Sequence, residues 1–390
     1  MKVFIADAHP AEDSCGGSLG PVSGRRTSMG GSPLITAPDK LPPLLAASVR
    51  DDEAAWIGEL RRRGLLPFAV TPHFASLAGP ERDDPIRRQF FPDPREALPD
   101  PFALDDPLGE AHYRAAPRLV HQYRDRALLL AGGSCAGYCR HCFRRVWMAG
   151  PQGFAGSTAG SDHELAPELA YLRVHGEIRE ILVSGGDPLT ADDGSLAGLF
   201  RQIREARPET ALRVCTRLPV TCPQRLGPDT LELFRQYHPL RLAVHINHPR
   251  ELAPAARASF AACTAAGIPV LVQTVLLRGI NDRVETLSTL FRECRSLGLS
   301  PYYLFQMDLA PGTAHFRVPL GEGLALYAQL AQSLAKDPGG TLPPYAVDLP
   351  GGGGKIRLGP EAVAGERDTP AGRVCLLRGP GGRLWPYPVS

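Results

Sequence analysis

The stretch RALLLAGGSCAGYCRHC, residues 126–142, decides the fold. It begins with a short leucine-rich run at 127–131, which is typical of a strand buried on both faces, and it continues into a glycine-containing loop with three cysteines. In parallel β/α folds, ligands collect just beyond the carboxyl ends of the strands. The residues that follow each strand are therefore the first candidates for chemistry.

Downstream of this stretch, apolar runs alternate with amphipathic segments whose apolar residues recur at i, i+3 and i+4. The later runs recur about every 30 residues, the length of one βαβ unit. Six such units predict an α/β protein built as a partial parallel barrel. Strands are predicted at 127–131, 178–184, 212–216, 240–246, 268–275 and 302–307, and helices at 164–175, 195–206, 229–237, 254–266 and 285–297.

A doubly wound nucleotide-binding sheet is the rival fold. Its Gly-x-Gly-x-x-Gly turn should follow the first strand, but this chain has Gly132-Gly133-Ser134-Cys135 there. The barrel is therefore the preferred prediction.

The composition excludes several classes of protein. The 390 residues include 43 Lys or Arg and 41 Asp or Glu, a formal net charge of +2. We expect no nucleic-acid or membrane-surface partner, because either would need a concentrated basic face. Hydrophobic residues make up 43% of the chain, enough for a sizeable core. No apolar stretch approaches the ~20 residues needed to cross a bilayer.

The cysteine content indicates a reducing compartment. The chain has nine cysteines, an odd number, and its first residues lack the apolar run of a signal peptide. We expect a cytoplasmic protein in which grouped cysteines hold metal or carry out redox chemistry rather than form disulfides.

The chain divides into four predicted parts. Glycine, serine and proline crowd residues 1–45, which predicts a mobile leader. A small helical region follows at 46–120, then the barrel core at 121–320 and a C-terminal extension at 321–390.

The three cysteines after the first strand, Cys135, Cys139 and Cys142, form a Cys-x-x-x-Cys-x-x-Cys motif. Three thiolates on one loop can hold three irons of a 4Fe–4S cube and leave the fourth iron open to another ligand. Structural zinc is the competing interpretation, but it requires four ligands, and His141 is badly placed to be the fourth because it adjoins Cys142. Unliganded cysteines are a further alternative.

Four consecutive glycines at 351–354 precede Lys355. A phosphate-binding P-loop would need Gly at 349 and Ser or Thr at 356, where this chain has Leu349 and Ile356, so that interpretation fails. A lysine on a flexible glycine arm suits Schiff-base chemistry, because its amine must swing away when a substrate amine displaces it. The alternative is a solvated lysine in a loose loop.

The cysteine loop resembles the cluster motif of the radical S-adenosylmethionine superfamily, and CRHCFRR at 139–145 resembles the lysine 2,3-aminomutase family in particular. The resemblance covers roughly residues 115 to 360. Further matches are SGGDPL at 184–189, TRLPV at 216–220, HINHP at 245–249, QTVLLRGIND at 273–282, PYY at 301–303, GTAHFR at 312–317 and PGGGGK at 350–355.

This resemblance implies a partial (β/α)6 barrel of radical-SAM type, with a helical N-terminal region and a C-terminal extension that carries a cofactor lysine. It implies a 4Fe–4S cluster, S-adenosyl-L-methionine and pyridoxal 5′-phosphate. The implied ligands of the cluster are Cys135, Cys139 and Cys142. The residues implied near S-adenosylmethionine are Gly185, Gly186, Asp187, His245 and Gln273. The residues implied for pyridoxal phosphate are Lys355, Tyr123 and Arg126.

Several of these residues have ordinary alternatives. A Gly-Gly-Asp turn is common in loops, and His245 and Gln273 could each be a satisfied polar group in a core. Gln122 stands where family members commonly carry a basic residue, so that Arg124 becomes a candidate to complete the phosphate site.

The expected substrate follows from charge. Arg144 matches the family's arginine for the substrate α-carboxylate, and its planar guanidinium suits bidentate binding. Asp308 and Asp348 match the two carboxylates that receive the ε-ammonium of lysine. Two carboxylates brought together repel unless a cation lies between them, whereas a glutamate-type tail would call for basic or amide residues. Either aspartate alone could be a helix or loop cap.

The resemblance therefore implies an isomerase that moves the α-amino group of L-lysine to C3 and yields β-lysine. Reduction of the cluster would require an electron donor such as flavodoxin or ferredoxin. Alternatives are the same chemistry on another cationic amino acid such as arginine, lysine isomerisation that serves elongation factor P modification, and a non-catalytic iron–sulfur or zinc regulatory protein. Cys375 is alone in the tail, so we expect no zinc between subunits, and a homo-oligomer stays open.

Overall fold

The computed structural model describes residues 34–150, 165–337 and 340–389, so the predicted leader at 1–45 lies largely outside the described residues. The helices are α1 (Pro43–Ala47), α2 (Asp51–Arg62), α3 (Pro72–Ser76), α4 (Arg87–Phe90), α5 (Arg145–Ala149), α6 (Ala166–Val174), α7 (Asp193–Ala206), α8 (Leu218–Thr221), α9 (Pro228–Gln236), α10 (Pro254–Ala265), α11 (Val284–Ser296) and α12 (Leu320–Leu334).

The strands are β1 (Arg114–Ala116), β2 (Leu119–Tyr123), β3 (Arg126–Gly132), β4 (Glu180–Gly185), β5 (Ala211–Thr216), β6 (Leu240–His245), β7 (Val270–Val275), β8 (Ser300–Phe305), β9 (Tyr345–Leu349), β10 (Gly354–Arg357), β11 (Val363–Thr369), β12 (Gly372–Arg378) and β13 (Leu384–Pro388). No helix in the described part of the chain is long and apolar enough to cross a membrane.

Strands β1 to β10 form one sheet in sequence order. Strands β3 to β9 are parallel, while β1, β2 and β10 pair antiparallel at the two edges. A helix follows each strand from β3 to β8, which confirms the six predicted β/α units. The first and last residues of each predicted strand and helix lie within about two residues of those of an observed element, which is the usual uncertainty of such boundaries.

The sequence patterns missed four strands of this sheet: β1, β2, β9 and β10. The strands β1 and β10 have only three and four residues, too few for period-2 alternation to be recognised, and β10 begins at a glycine. Strand β9 is buried but follows a proline-rich stretch, and it forms because β8 offers it a parallel edge. The sheet therefore continues past residue 320, into the part predicted as an extension.

Alternation along the strands separates two faces of the sheet. In β7, Val270 and Val272 are buried in the main hydrophobic core, whereas Leu271, Gln273 and Val275 are only half-buried. The first set packs under the surrounding helices. The second set faces the inside of the barrel, where it stays partly accessible.

Side chains join the two edges of the sheet. The Tyr123 hydroxyl in β2 accepts a hydrogen bond from the backbone N–H of Lys355 in β10, at 2.9 Å. Beside it, Nε2 of Gln122 donates to the carbonyl oxygen of Gly352 at 3.2 Å. The partial barrel is thus closed by side chains rather than by a strand pair.

The N-terminal region packs against the cysteine loop. The N–H of Tyr138 donates to the Ala69 carbonyl, and the N–H of Arg140 donates to the Gln89 carbonyl, both at 2.9 Å. The buried Arg140 guanidinium also pairs with Glu96. This region therefore holds the loop from outside the barrel.

A second sheet of three strands, β11 to β13, packs on the barrel near the end of β8. The hydroxyl of Tyr387 in β13 donates to the Met307 carbonyl at 2.7 Å, and Nε2 of Gln306 donates to that hydroxyl at 3.1 Å. These bonds anchor the C-terminal strands beside the segment that carries Asp308.

Candidate active site

The cysteine loop links β3 to α5, and its thiols interact with one another. Burial, with a smaller contribution from the nearby Cys139, raises the pKa of the Cys142 thiol to about 11. Burial also raises the pKa of Cys135, with smaller contributions from Asp187 and the other two thiols. Buried thiols of this kind become thiolates when a metal replaces their protons.

The spacing of the thiols fits a cluster better than a single ion. Among the described residues, the one group of three candidate ligands whose ligand atoms lie within 4.8 Å of one another is His121, His175 and Glu177, far along the sequence from the cysteines. A tetrahedral zinc with Zn–S bonds of about 2.3 Å would hold sulfurs roughly 4 Å apart. The three sulfurs do not all lie within 4.8 Å of one another, which is wider than such a zinc site and leaves room for the larger cube.

Arg217 contacts the cysteine loop directly, a role that sequence analysis did not assign. Its Nη1 lies 2.8 Å from Sγ of Cys139. Its Nη2 donates to Glu251 at 2.9 Å and to Gln89, so the guanidinium is held in place while it faces the sulfur. The match TRLPV at 216–220 drew attention to this residue but gave no indication of its contact.

Gly185 and Gly186 let the end of β4 approach the cysteine loop. A Cβ at Gly186 would lie 2.2 Å from the Ser134 carbonyl oxygen, and a Cβ at Gly185 would lie 2.4 Å from that of Gly132. Gly185 also has a φ of +115°, which L side chains rarely adopt. Both glycines are needed for the close approach of the two backbones, and their contact with a cofactor stays a prediction.

Asp187 is buried and well supplied with donors. Its carboxylate accepts hydrogen bonds from the Thr216 hydroxyl at 2.8 Å, from the N–H of Arg217 at 2.7 Å and from the N–H of Leu189 at 3.1 Å. Burial raises its pKa to about 6, although these bonds oppose the shift. In this structure Asp187 organises the loop after β4, and a contact with the amine of S-adenosylmethionine would use its remaining lone pairs.

His245 and Gln273 lie side by side at the ends of β6 and β7, as predicted. The His245 Nε2 atom is buried and has no hydrogen-bond partner among the described residues. Burial lowers the His245 pKa to about 3, with a further contribution from Arg217, so the ring is neutral. A neutral, unpartnered ring nitrogen near the cysteine loop fits a site that receives a polar cofactor.

Lys355 lies across the β9–β10 pair from Asp348, and its Nζ is 2.5 Å from the Asp348 Oδ2 atom. The same Nζ lies 4.0 Å from the ring centroid of Phe305 and 5.4 Å from that of Tyr303, both in β8. The lysine amine therefore points into the barrel, between an acid and two aromatic rings. This placement fits an amine that must meet a flat, apolar-faced cofactor ring.

Asp308 follows β8 and shares this pocket. Burial, with smaller contributions from Asp348 and Glu110, raises its pKa to about 8, although Lys355 and Arg144 oppose the shift. The predicted pair of carboxylates is therefore brought together, with the lysine amine beside it.

Arg144 lies between the cysteine loop and the Lys355 pocket. Its Nη1 lies 3.3 Å from the Ser184 hydroxyl and 3.5 Å from the Gly185 carbonyl oxygen. Burial opposes the charge of Arg144, but Glu110 and then Cys142 raise its pKa, so it stays a cation. Because Arg144 also acts on Asp308, the cysteines and the lysine arm belong to one site.

The residues predicted for the phosphate of pyridoxal phosphate lie at the turn between β2 and β3: Tyr123 ends β2 and Arg126 begins β3. Arg126 pairs with Asp125, with an Nε–Oδ1 distance of 2.9 Å, and its guanidinium lies 5.8 Å from the Tyr123 ring centroid. Gln122 is bonded to the glycine arm, and Arg124 is exposed. Whether Gln122 or Arg124 completes the predicted phosphate site stays open. To bind the phosphate, Arg126 must either break its ion pair with Asp125 or bind both groups at once.

Glu110 is the second residue that sequence analysis missed. It forms an ion pair with Arg144, with 3.0 Å between Nε and Oε2 and 2.5 Å between Nη2 and Oε1. Thirty-four residues separate the two in the chain, so no periodic pattern joins them. The only local signal was an acidic residue after a Pro-Leu-Gly turn, which is common in loops.

Comparisons with known proteins identify relatives over most of the chain. The "Putative L-lysine 2,3-aminomutase" of Treponema pallidum (strain Nichols) is 44% identical over 292 residues, which cover 74% of this chain and 80% of that protein. The L-lysine 2,3-aminomutase of Fusobacterium nucleatum is 36% identical over 78% of this chain and 70% of its own length. The glutamate 2,3-aminomutase of Clostridioides difficile is 33% identical over 84% and 75%, respectively.

No protein-family model matches the chain. Among solved structures, the crystal structure of Streptococcus suis SuiB is similar with a TM-score of 0.42 and 10% identity, over 59% of this chain and 50% of that one. The sequence relatives exceed 30% identity over more than two thirds of their own lengths. The predicted resemblance is thus confirmed, and the chain belongs to the lysine 2,3-aminomutase family.

Proposed function

We propose that this chain is an aminomutase that moves the α-amino group of free L-lysine to C3 and yields β-lysine. The observation that carries the proposal is the charge arrangement around Lys355. Asp308 and Asp348 lie beside the Lys355 amine, and Arg144, paired with Glu110, lies near enough to act on Asp308. This polarity matches an amino acid with a carboxylate at one end and an ammonium at the other.

The two aspartates favour a cationic tail over an acidic one. Asp348 pairs with the Lys355 amine at 2.5 Å, and that pairing ends when the amine becomes engaged elsewhere. Asp308 and Asp348 would then repel each other in a buried pocket unless another cation takes the place of the lysine. The ε-ammonium of a lysine substrate supplies that cation. A glutamate side chain would add a third carboxylate and increase the repulsion.

The residues also fit the three cofactors that the family implies. Cys135, Cys139 and Cys142 would hold the iron–sulfur cluster, and Lys355 would hold pyridoxal phosphate. When bound, the cluster with S-adenosylmethionine would supply one-electron chemistry, and pyridoxal phosphate would supply an aldehyde and a conjugated ring able to delocalise an unpaired electron.

The chain's own contribution is orientation and exclusion of water. A substrate held by Arg144 at one end and by the two aspartates at the other presents its middle carbons in one place, which removes rotational freedom before the reaction. The Phe305 and Tyr303 rings cover one side of this place. The bonds between β2 and the glycine arm close the barrel around it, which protects reactive species from solvent.

The proposal is tested by anaerobic reconstitution with iron, sulfide and pyridoxal phosphate, followed by incubation with reductant, S-adenosylmethionine and L-lysine, L-arginine or L-glutamate. We expect β-lysine from L-lysine, detected by chromatography and mass spectrometry, and no product from L-glutamate. Turnover of L-arginine and not of L-lysine would contradict L-lysine as the substrate and would support the same chemistry on arginine. Inactivity on all three, together with zinc and no iron in protein purified without air, would favour a non-catalytic metal protein.

A further inference from the structure

Glu110 holds the Arg144 guanidinium by one edge. The two Glu110 oxygens meet Nε and Nη2 of Arg144, the side edge of the planar group, at 3.0 and 2.5 Å. Both side chains are largely buried, 16% and 11% exposed for Glu110 and Arg144. A bidentate pair in such a setting is much more rigid than an exposed ion pair.

The ion pair with Glu110 leaves a defined set of Arg144 N–H groups for a ligand. A guanidinium has five N–H groups in a planar fork, and Glu110 uses one from Nε and one from Nη2. Nη1 lies near the Ser184 hydroxyl and the Gly185 carbonyl at 3.3 and 3.5 Å, which are long contacts. A substrate carboxylate on the Nη1–Nη2 edge would displace these two long hydrogen bonds from Nη1 and use the second N–H of Nη2.

Backbone bonds fix the segment that carries Glu110. The Asp106 carboxylate accepts hydrogen bonds from the N–H of Glu110 at 3.0 Å and from that of Ala111 at 2.9 Å. Gly109, which lies between Asp106 and Glu110 in the chain, has a φ of +61°, in the left-handed region. The Glu110 side chain thus projects from a turn that cannot move freely.

The same segment packs on the glycine arm. The Pro107 carbonyl accepts the N–H of Gly351 at 2.8 Å, and the Tyr113 hydroxyl donates to the Gly352 carbonyl at 2.6 Å. A Cβ on Gly109 would lie 2.6 Å from the backbone of Gly351. The position of Arg144 and the position of the arm that carries Lys355 are therefore set by one short piece of chain.

Without Glu110, Arg144 would have other partners. Asp308 is close enough for Arg144 to affect its pKa, and it belongs to the carboxylate pair that would receive the substrate ammonium. An arginine released from Glu110 would be attracted to that pair, and both ends of the substrate site would be lost together. Glu110 keeps the cation and the two aspartates apart.

We propose that Glu110 is a positioning residue that turns the Nη1–Nη2 edge of Arg144 toward the α-carboxylate of the substrate. The contact between Arg144 and that carboxylate then makes the enzyme select free amino acids over lysine whose carboxyl group is amidated. The inference rests on the proposed function, since it uses Arg144 as the carboxylate site. It adds a substrate class: amino acids with an ionised α-carboxylate.

The test compares L-lysine with L-lysinamide, which keeps both amines but lacks the carboxylate. Calorimetric titration of the reconstituted holoenzyme gives the dissociation constant for each ligand, whether or not turnover occurs, and assays give kcat and KM. The variants are Glu110→Ala, Glu110→Asp and Glu110→Gln. Glu232→Gln, which changes an exposed glutamate paired with Arg235, is the matched control.

We expect the wild-type enzyme to prefer L-lysine. Glu110→Ala and Glu110→Asp should lose that preference by at least about tenfold, mainly in KM, because aspartate is one methylene too short to reach Arg144. Glu110→Gln keeps the reach and one acceptor, so it should retain part of the preference. Iron and pyridoxal content should stay at the level of the Glu232→Gln control.

Other outcomes separate the two proposals. Undiminished preference in Glu110→Ala would overturn the positioning role and leave the proposed function standing. An equal loss for both ligands, together with loss of bound pyridoxal, would show that Glu110 only supports the glycine arm, and would also overturn it. A wild-type enzyme that binds both ligands equally would overturn the carboxylate role of Arg144 and the positioning role of Glu110, whereas the proposed function would still be decided by formation of β-lysine.

Discussion

The ammonium group of Lys355 lies 2.5 Å from Oδ2 of Asp348, its partner across the antiparallel β9–β10 pair. Although four glycines precede Lys355, the residue itself is part of a strand, so its backbone is fixed while the arm before it provides the freedom. The carboxylate holds the amine in place until a ligand competes for it. This pair therefore links the cofactor amine to one of the two predicted substrate carboxylates.

Borohydride treatment of the holoenzyme should leave a reduced pyridoxyl group on Lys355, detected by peptide mass spectrometry. The reason is that the Lys355 amine points into the pocket, whereas Lys40 is exposed. Lys355→Arg should lose the adduct and the bound pyridoxal, and Lys336→Arg is the control. An adduct at another lysine would refute the cofactor assignment even if iron is present.

Replacing Cys135, Cys139 or Cys142 singly by alanine should remove most of the iron and abolish the electron paramagnetic resonance signal of the reduced cluster, because two thiolates cannot hold the cube. Cys222→Ala is the control, since Cys222 lies outside the motif and is only half-buried. Iron that survives in all three motif variants would contradict the cluster assignment.

Arg217→Met should lower the midpoint potential of the cluster. The guanidinium lies 2.8 Å from Sγ of Cys139, and its charge and N–H group stabilise the more negative, reduced state. We expect a shift of roughly 60 mV, which corresponds to a tenfold change for a one-electron couple. Spectroelectrochemical titration measures it, and Arg217→Lys should recover part of it. An unchanged potential at full iron content would show that the contact has no electronic effect.

Gly186→Ala should disturb the cysteine loop. Its Cβ would lie 2.2 Å from the Ser134 carbonyl oxygen, so one of the two backbones must shift, and we expect a loss of about 2 to 3 kcal/mol in the free energy of unfolding together with lower iron content. Gly198→Ala is a matched control, because that helical glycine has nothing within 4 Å of the added carbon. Alanine should stabilise the helix there by up to about 1 kcal/mol. Equal stability of the two variants would contradict the packing argument.

Lysine binding should release a proton near neutral pH. Burial and Asp348 raise the pKa of Asp308 to about 8, so the free enzyme holds a proton on Asp308 that an incoming ammonium would displace. Calorimetric titration in buffers of different ionisation enthalpy measures this release, which should disappear above about pH 8 and in Asp308→Asn.

The same shift affects stability, with a definite sign. A carboxyl group whose pKa is raised on folding stabilises the fold fully below its ordinary pKa of 3.8, and that contribution is lost as the pH rises through about 8. Asp308→Asn should therefore raise the melting temperature relative to wild type more above about pH 8 than at about pH 5. The opposite pH trend would contradict the raised pKa.

Local patterns were sufficient for much of the architecture. The six parallel strands and their helices follow from apolar periodicity, which depends only on which face of each element is buried. The cysteine motif and the glycine arm can likewise be recognised in the sequence, because their chemistry requires particular residues at particular spacings along the chain. The edge strands β1 and β10 escaped this approach, because strands so short are stabilised by their neighbours rather than by their own residues.

The sequence by itself determined the barrel core, the family, and the candidate cysteines and lysine. Only the tertiary structure decided which partners these groups receive: Glu110 for Arg144, Arg217 for Cys139, and the glycine arm for Gln122. Each of these contacts joins residues more than 30 positions apart, on different elements. Contacts of that kind depend on how strands and loops pack in space, and no local periodicity records them.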